Sequence, residues 1–171
     1  MPQLLDPNFV RGVVIMIEHN DQGALGLVLN HPTEYFCSAV AESFDLDWPS
    51  GELLPLRRGG PVEPQSLWML HDDAWSFEET MRLAPGISVS RSREALTRLC
   101  EADEERVRLI VGYAGWGPGQ LEQEIAQGTW LTGSISADVV FDLEMEDVWE
   151  TVVKGLGIEP AHLVQAGTTL Q

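Results

Sequence analysis

Positive charge is scarce in this chain. Ten lysines and arginines stand against 27 carboxylates, a formal charge of −17. Such a surface repels phosphate backbones, so direct binding of nucleic acid is disfavoured. Arg82, Arg91, Arg93 and Arg98 lie close together. They read either as a small basic patch or as exposed arginines that offset nearby acids. Long apolar runs are missing too: no stretch approaches the roughly 20 residues that span a bilayer. Met1-Pro2-Gln3-Leu4-Leu5-Asp6-Pro7 has neither a basic nor a continuous apolar segment, so no signal peptide is expected and the cytoplasm is the expected compartment. Cys37 and Cys100 are the only cysteines. Without a CxxC spacing they read as free thiols in a reducing compartment, with no support for a zinc or thioredoxin-like site. A Walker A loop, a dinucleotide fingerprint and a Gly-x-Ser-x-Gly elbow are all absent. No metal and no cofactor are expected.

What is present fits one domain of 171 residues with a substantial core. Val13 to Ile17 is a β-branched run apolar on both faces, the pattern of a covered strand. Asn20-Asp21-Gln22-Gly23 carries turn chemistry, and Ala24 to Asn30 follows as a second strand. Closing that hairpin pairs His19 with Ala24, Ile17 with Gly26, Ile15 with Val28 and Val13 with Asn30. Pro32-Thr33 ends the strand. Further strands are expected at Leu54 to Arg57, Leu67 to His71, Ile87 to Val89, Val107 to Tyr113 and Thr129 to Gly133. Helices are expected at Ser38 to Phe44, at Ser92 to Cys100, from Pro118 with Gly117 as its N-cap and Gly128 after its end, and at Asp147 to Leu156. Hairpins interspersed with helices imply α+β.

The densest feature is Gly112-Tyr113-Ala114-Gly115-Trp116-Gly117-Pro118-Gly119-Gln120-Leu121-Glu122. Glycines at that density let the backbone turn sharply or approach a neighbour closely. With Gly59-Gly60-Pro61-Val62 it reads either as a groove floored by Tyr113 and Trp116, or as two corners of a bent sheet with Trp116 buried. Glu18-His19-Asn20 at the hairpin tip is a candidate acid–base or ligand set, or a polar end bonding its own turn. His31 lies about seven residues from His19 along the ladder, roughly 23 Å, too far to share a metal. Strand alternation turns Glu18 and His19 to opposite faces. His71, before Asp72-Asp73, reads either as a tuned base or as a solvated strand end. Glu122 and Glu124 do not face one another on a helix and fit the positive end of its dipole.

On these residues the chain resembles the YqgE/AlgH family (DUF179), bacterial proteins to which no catalytic mechanism is assigned. The matching blocks are Asp6-Pro7-Asn8-Phe9; Glu18-His19-Asn20 with Gly23 to Asn30 and Pro32-Thr33; Gly59-Gly60-Pro61-Val62 with His71; and Gly112 to Glu122 with Glu124. The resemblance implies a strongly curved, bifurcated, mostly antiparallel sheet forming a pseudo-barrel with flanking helices. Members usually carry a further strand before a segment like Met1 to Pro7; its absence would leave an unpaired edge and favour a homodimer. The resulting expectation is a non-catalytic regulatory or adaptor protein. It would bind a protein or small molecule through Glu18, His19, Asn20, Asn30, Gly59, Gly60, Pro61, His71, Tyr113, Trp116, Gly117, Gly119 and Gln120. The alternatives are a hydrolase using His71 or His19, and a transcriptional regulator acting indirectly.

Overall fold

The computed structural model describes residues 8–49, 54–101 and 106–166. Its strands are β1 (Val14–Asn20), β2 (Gly23–Val28), β3 (Pro32–Phe36), β4 (Pro55–Arg58), β5 (Val62–His71), β6 (Met81–Ala84), β7 (Ile87–Ser90) and β8 (Val107–Trp116). The helices are α1 (Cys37–Ser43), α2 (Arg93–Glu101), α3 (Gln120–Ala126), α4 (Ala137–Phe141), α5 (Met145–Gly155) and α6 (Pro160–Ala166). The main strand order is β1-β2-β8-β5-β7-β6, and β4 carries β3 onto β8. All pairings are antiparallel except β4 with β8.

The sheet forks along β8. Ala114, Gly115 and Trp116 pair with β2, while Ile110 and Val111 pair with β4. Gly59 stands at the fork: it donates to the Val111 carbonyl and accepts from the Val28 N–H. A Cβ there would meet the Gly112 carbonyl oxygen at 2.4 Å, and one on Gly60 would meet the Tyr113 carbonyl carbon at 2.3 Å. Gly112, at φ +71, shifts the alternation of β8 by one residue. Ile110 and Tyr113 therefore share one cluster, whereas Ala114 and Trp116 belong to another. The curved sheet wraps a core of Leu27, Leu29, Trp68, Leu70, Ile87, Val89 and Ile110. Helices α1 and α2 cover the opposite face through Met69, Leu96, Leu99 and Leu109.

Several expectations need correction. Ile17 is an extra residue between Met16↔Gly26 and Glu18↔Leu25, so Ile15 pairs with Leu27 and Val14 with Val28. The bulge lets Met16 and His19, three apart, lie on one face. Pro32-Thr33 opens a strand, because the Thr33 hydroxyl reaches the Leu56 carbonyl at 2.9 Å on the neighbouring β4. The glycine-rich run is not a loop through Trp116; β8 continues there because β2 and β5 pair with it. Gly117-Pro118-Gly119 forms a turn closed by Gln120 N–H on the Gly117 carbonyl, so α3 starts after Gly119 rather than at Pro118. Residues 129–133 make no ladder; Trp130 is anchored through its side chain instead. The β6 strand carried no legible alternating pattern.

Candidate functional site

The structure distributes the predicted residues over several places. Gly59, Gly60 and Gly112 converge backbone to backbone, which leaves no groove between them, and Pro61 is exposed beside them. Tyr113 packs edge-on against Trp68, with ring centres 6.1 Å apart, on the face away from Trp116. A floor made of both rings is thus ruled out by strand geometry. Asn30 pins the entry to β1: its amide donates to the Arg11 carbonyl, and its oxygen accepts from Val13 N–H, each at 2.8 Å. Arg11 is held there at φ 50. Gly117 N–H donates to Gln120 Oε1 at 3.0 Å, and Gly119 supplies the left-handed step before α3.

His71 is buried, not solvated, and lies about nine residues along β8 from Trp116, on the order of 30 Å. One ring nitrogen, Nδ1, meets the Asp72 carbonyl at 2.8 Å, and Nε2 meets Ser90 Oγ at 2.9 Å. A carbonyl can only accept, so Nδ1 carries the proton of the neutral ring and Nε2 accepts from Ser90. Ser90 then accepts from Thr80, 2.7 Å away, and Thr80 Oγ1 accepts the Phe77 N–H at 2.8 Å. Phe77 seals the ring edge-on at 6.2 Å. This chain of bonds ties the 72–80 segment to the sheet. Ser90→Ala is expected to cost about 1–2 kcal/mol in urea denaturation. Ser90 is also expected to resist a fluorophosphonate; rapid labelling would make the pair a working nucleophile and base.

The thiols are equally enclosed. Burial pushes Cys37 up to about 11 and also raises Cys100, so both remain protonated at neutral pH. Among the described residues, no three His, Cys, Asp or Glu side chains are placed to hold a metal ion.

His19 and Trp116, by contrast, lie at one level of the sheet and line the same cleft. His19, Ala24 and Trp116 form a row across β1, β2 and β8. His19 Nε2 donates to Glu122 Oε1 at 2.6 Å from the start of α3. Glu122 is held below the ordinary carboxylate value first by its own backbone N–H and then by His19. Glu18 takes the other side and accepts from Asn20 Nδ2 at 2.5 Å, while Asn20 Oδ1 accepts the Gln22 N–H at 2.8 Å. Glu18 and His19 are therefore no dyad, as alternation required.

Glu124 is the residue that the sequence reading underrated. Its Oε2 accepts both indole N–H groups, Trp116 at 3.0 Å and Trp130 at 2.7 Å, and its Oε1 accepts Gln120 at 2.9 Å. Burial alone would raise this carboxyl, but the bonds from Trp130, Gln120 and Trp116 outweigh it and the net shift is downward. A buried indole requires an acceptor, and that requirement was the available signal. Trp116, Trp130 and Phe9 interlock around it, with the two indoles tilted at 71° and 5.6 Å apart.

This cluster forms one end of a cleft of about 490 Å³. β1 and β6, the two free ends of the strand order, face one another across it. Residues 130–135 and the Trp149, Val152, Val153 and Leu156 side of α5 close the rest. The cleft is the seam of an incompletely closed barrel, apolar along its length with His19 at one end and Trp149 at the other.

A forked, nearly closed antiparallel sheet with flanking helices and an apolar seam defines an α+β pseudo-barrel. The chain belongs to the AlgH-like family (DUF179), whose profile matches residues 1–161. It is 42% identical to a UPF0301 protein of Myxococcus xanthus, over 96% of this chain and 91% of that one. A UPF0301 protein of Thioalkalivibrio sulfidiphilus is 38% identical, over 93% and 87%. The solution structure of the AlgH protein from Pseudomonas aeruginosa superposes with a TM-score of 0.77 at 31% identity, covering 100% of this chain and 90% of that one. A crystal structure from Corynebacterium diphtheriae gives 0.73 at 25% identity, covering 96% and 85%.

Proposed function

We propose that this protein is a non-catalytic regulatory or adaptor protein of the cytoplasm, and that its ligand or partner binds in the seam between β1 and β6. The observation that carries this reading is the apolar cleft ending on Trp116 and His19. The catalytic candidates point the same way: His71 and Ser90 are sealed, His19 is spent on Glu122, and the thiols are buried. Among the described residues, no helix is long and apolar enough to cross a membrane. Direct nucleic-acid contact is disfavoured by the charge and by the fate of the four arginines. Arg82 pairs with Asp73, Arg98 lies over Trp75, Arg91 over Trp68, and Arg93 donates to the Phe44 carbonyl.

The experiment is an NMR screen of small apolar fragments against the full chain. Shifts are expected at His19, Trp116, Trp130 and Leu131. Ser134→Trp, an exposed residue on the rim, is expected to weaken the best fragment at least about tenfold without lowering stability. Shifts confined to Gly59 to Val62 would move the site to the fork and overturn this placement.

A further inference from the structure

Both strands that border the seam have one unpaired edge among the described residues. On β1, the Val13 carbonyl accepts Leu29 N–H, and the ladder continues through Val14↔Val28, Ile15↔Leu27 and Met16↔Gly26. Antiparallel strands alternate between residues that bond their neighbour and residues that do not. Val13 and Ile15 thus direct their backbone groups to β2, and Val14 and Met16 aim theirs at the seam. An acyl chain or an aromatic ring would cover the apolar wall and leave those donors and acceptors dry, at a cost. A polypeptide strand satisfies both the wall and the edge.

Charge selects among polypeptides. The chain carries −17. Glu122 pairs with His19 at one end of the seam. Helix α5, which provides the far wall, carries Glu146, Asp147 and Glu150. Against them stand Arg11, stacked 5.3 Å from the Trp149 ring centre, and Lys154, 3.5 Å from Glu150. The net charge of the chain is strongly negative, which favours a basic strand and opposes a second copy of this acidic chain.

We propose that the seam is a strand-addition site for an extended basic segment of another protein. That segment pairs its backbone with Val14 and Met16 and lays alternate apolar side chains against Trp116, Trp130 and Trp149. The proposal rests on the seam being the binding site and deepens it by naming the ligand as polypeptide.

The test uses the full chain and a capped heptapeptide of alternating valine and lysine. Saturable amide shifts are expected at Val14 and Met16. Methylating alternate peptide nitrogens, or replacing lysine by glutamate, is expected to weaken binding at least about tenfold each. Equal binding by the methylated peptide, equal binding by the glutamate peptide, or no binding by any of them overturns the proposal. If apolar fragments still occupy the seam in that last case, the binding reading stands and only strand addition fails. Two further results also overturn it. One is a dimer in sedimentation that protects the Val14 and Met16 amides from exchange, which assigns the edge to a second copy. The other is a set of contacts from residues 3–5 to Val14 in the free protein, which assigns it to the chain's own N-terminal segment.

Discussion

Gly60→Ala is expected to destabilise the protein by more than about 4 kcal/mol, or to prevent it from accumulating folded. Two causes add. Gly60 has φ +153, which a side chain rarely adopts, and its new Cβ would sit 2.3 Å from both the carbonyl carbon and oxygen of Tyr113. Those atoms are backbone, held by the Val62↔Tyr113 pairing, and cannot swing aside as a flexible side chain would. Gly119→Ala supplies the control. Gly119 also has a positive φ, +73, yet nothing lies within 4 Å of its Cβ position. That substitution is expected to cost only about 1–2 kcal/mol, the conformational part alone. Urea denaturation of both variants separates strain from collision. If Gly60→Ala proves no worse than Gly119→Ala, the fork is looser than the described packing.

Glu124→Ala is expected to cost about 3 kcal/mol. It strands the indole N–H groups of the buried Trp116 and the half-buried Trp130, and a lost hydrogen bond to a charged acceptor costs about 1.5 kcal/mol or more. Glu124→Gln keeps one oxygen and is expected to lose less, about 1–2 kcal/mol, because the neutral amide is the weaker acceptor. Tryptophan fluorescence reports both variants during denaturation, since the affected indoles are two of the six chromophores. The pH dependence carries its own signature. The folded carboxyl lies below its ordinary value of 4.5. Its stabilisation is therefore fully present above about pH 4.5 and fades as pH falls through the folded value. Asp73, Glu79 and Glu122 shift the same way, so the wild type loses stability in acid from several groups. The difference between wild type and Glu124→Gln isolates the one carboxyl, and it is expected to shrink below pH 4.5. A difference that stays constant down to pH 3 would mean that Glu124 is not an ionised acceptor.

The two corner sequences illustrate how far local pattern reaches. Glycine density marked Gly59-Gly60 and Gly112 to Gly119 as special, and the two do approach one another. Density does not say whether glycine leaves room for a ligand or for another strand. Here Gly59, Gly60 and Gly112 admit neighbouring backbone, and the seam proposed for binding runs past Trp116 instead. Strand alternation also keeps the two rings apart: Tyr113 and Trp116, three positions apart on β8, point to different faces. His71 shows the same limit. Its two acidic neighbours suggested solvent, yet Asp72 contributes its backbone carbonyl, and Ser90, nineteen positions away, completes the ring's bonds. The seam left no trace in the sequence, since its walls come from five separate segments.

The chain alone determined its class, its family, and those elements whose signals are carried by near neighbours. The apolar run of β1, the body of β8, α2 and α5, and the stops at Gly128 and Gly157 belong here, because backbone conformation and side-chain periodicity are short-range properties. Only the tertiary structure decided where β8 ends, which histidine is buried, that Glu124 holds two indoles, and that β1 faces β6 across an apolar cleft. Each of those depends on polar groups or packed surfaces brought together from distant positions, where what a residue must satisfy is set by neighbours that no local pattern names.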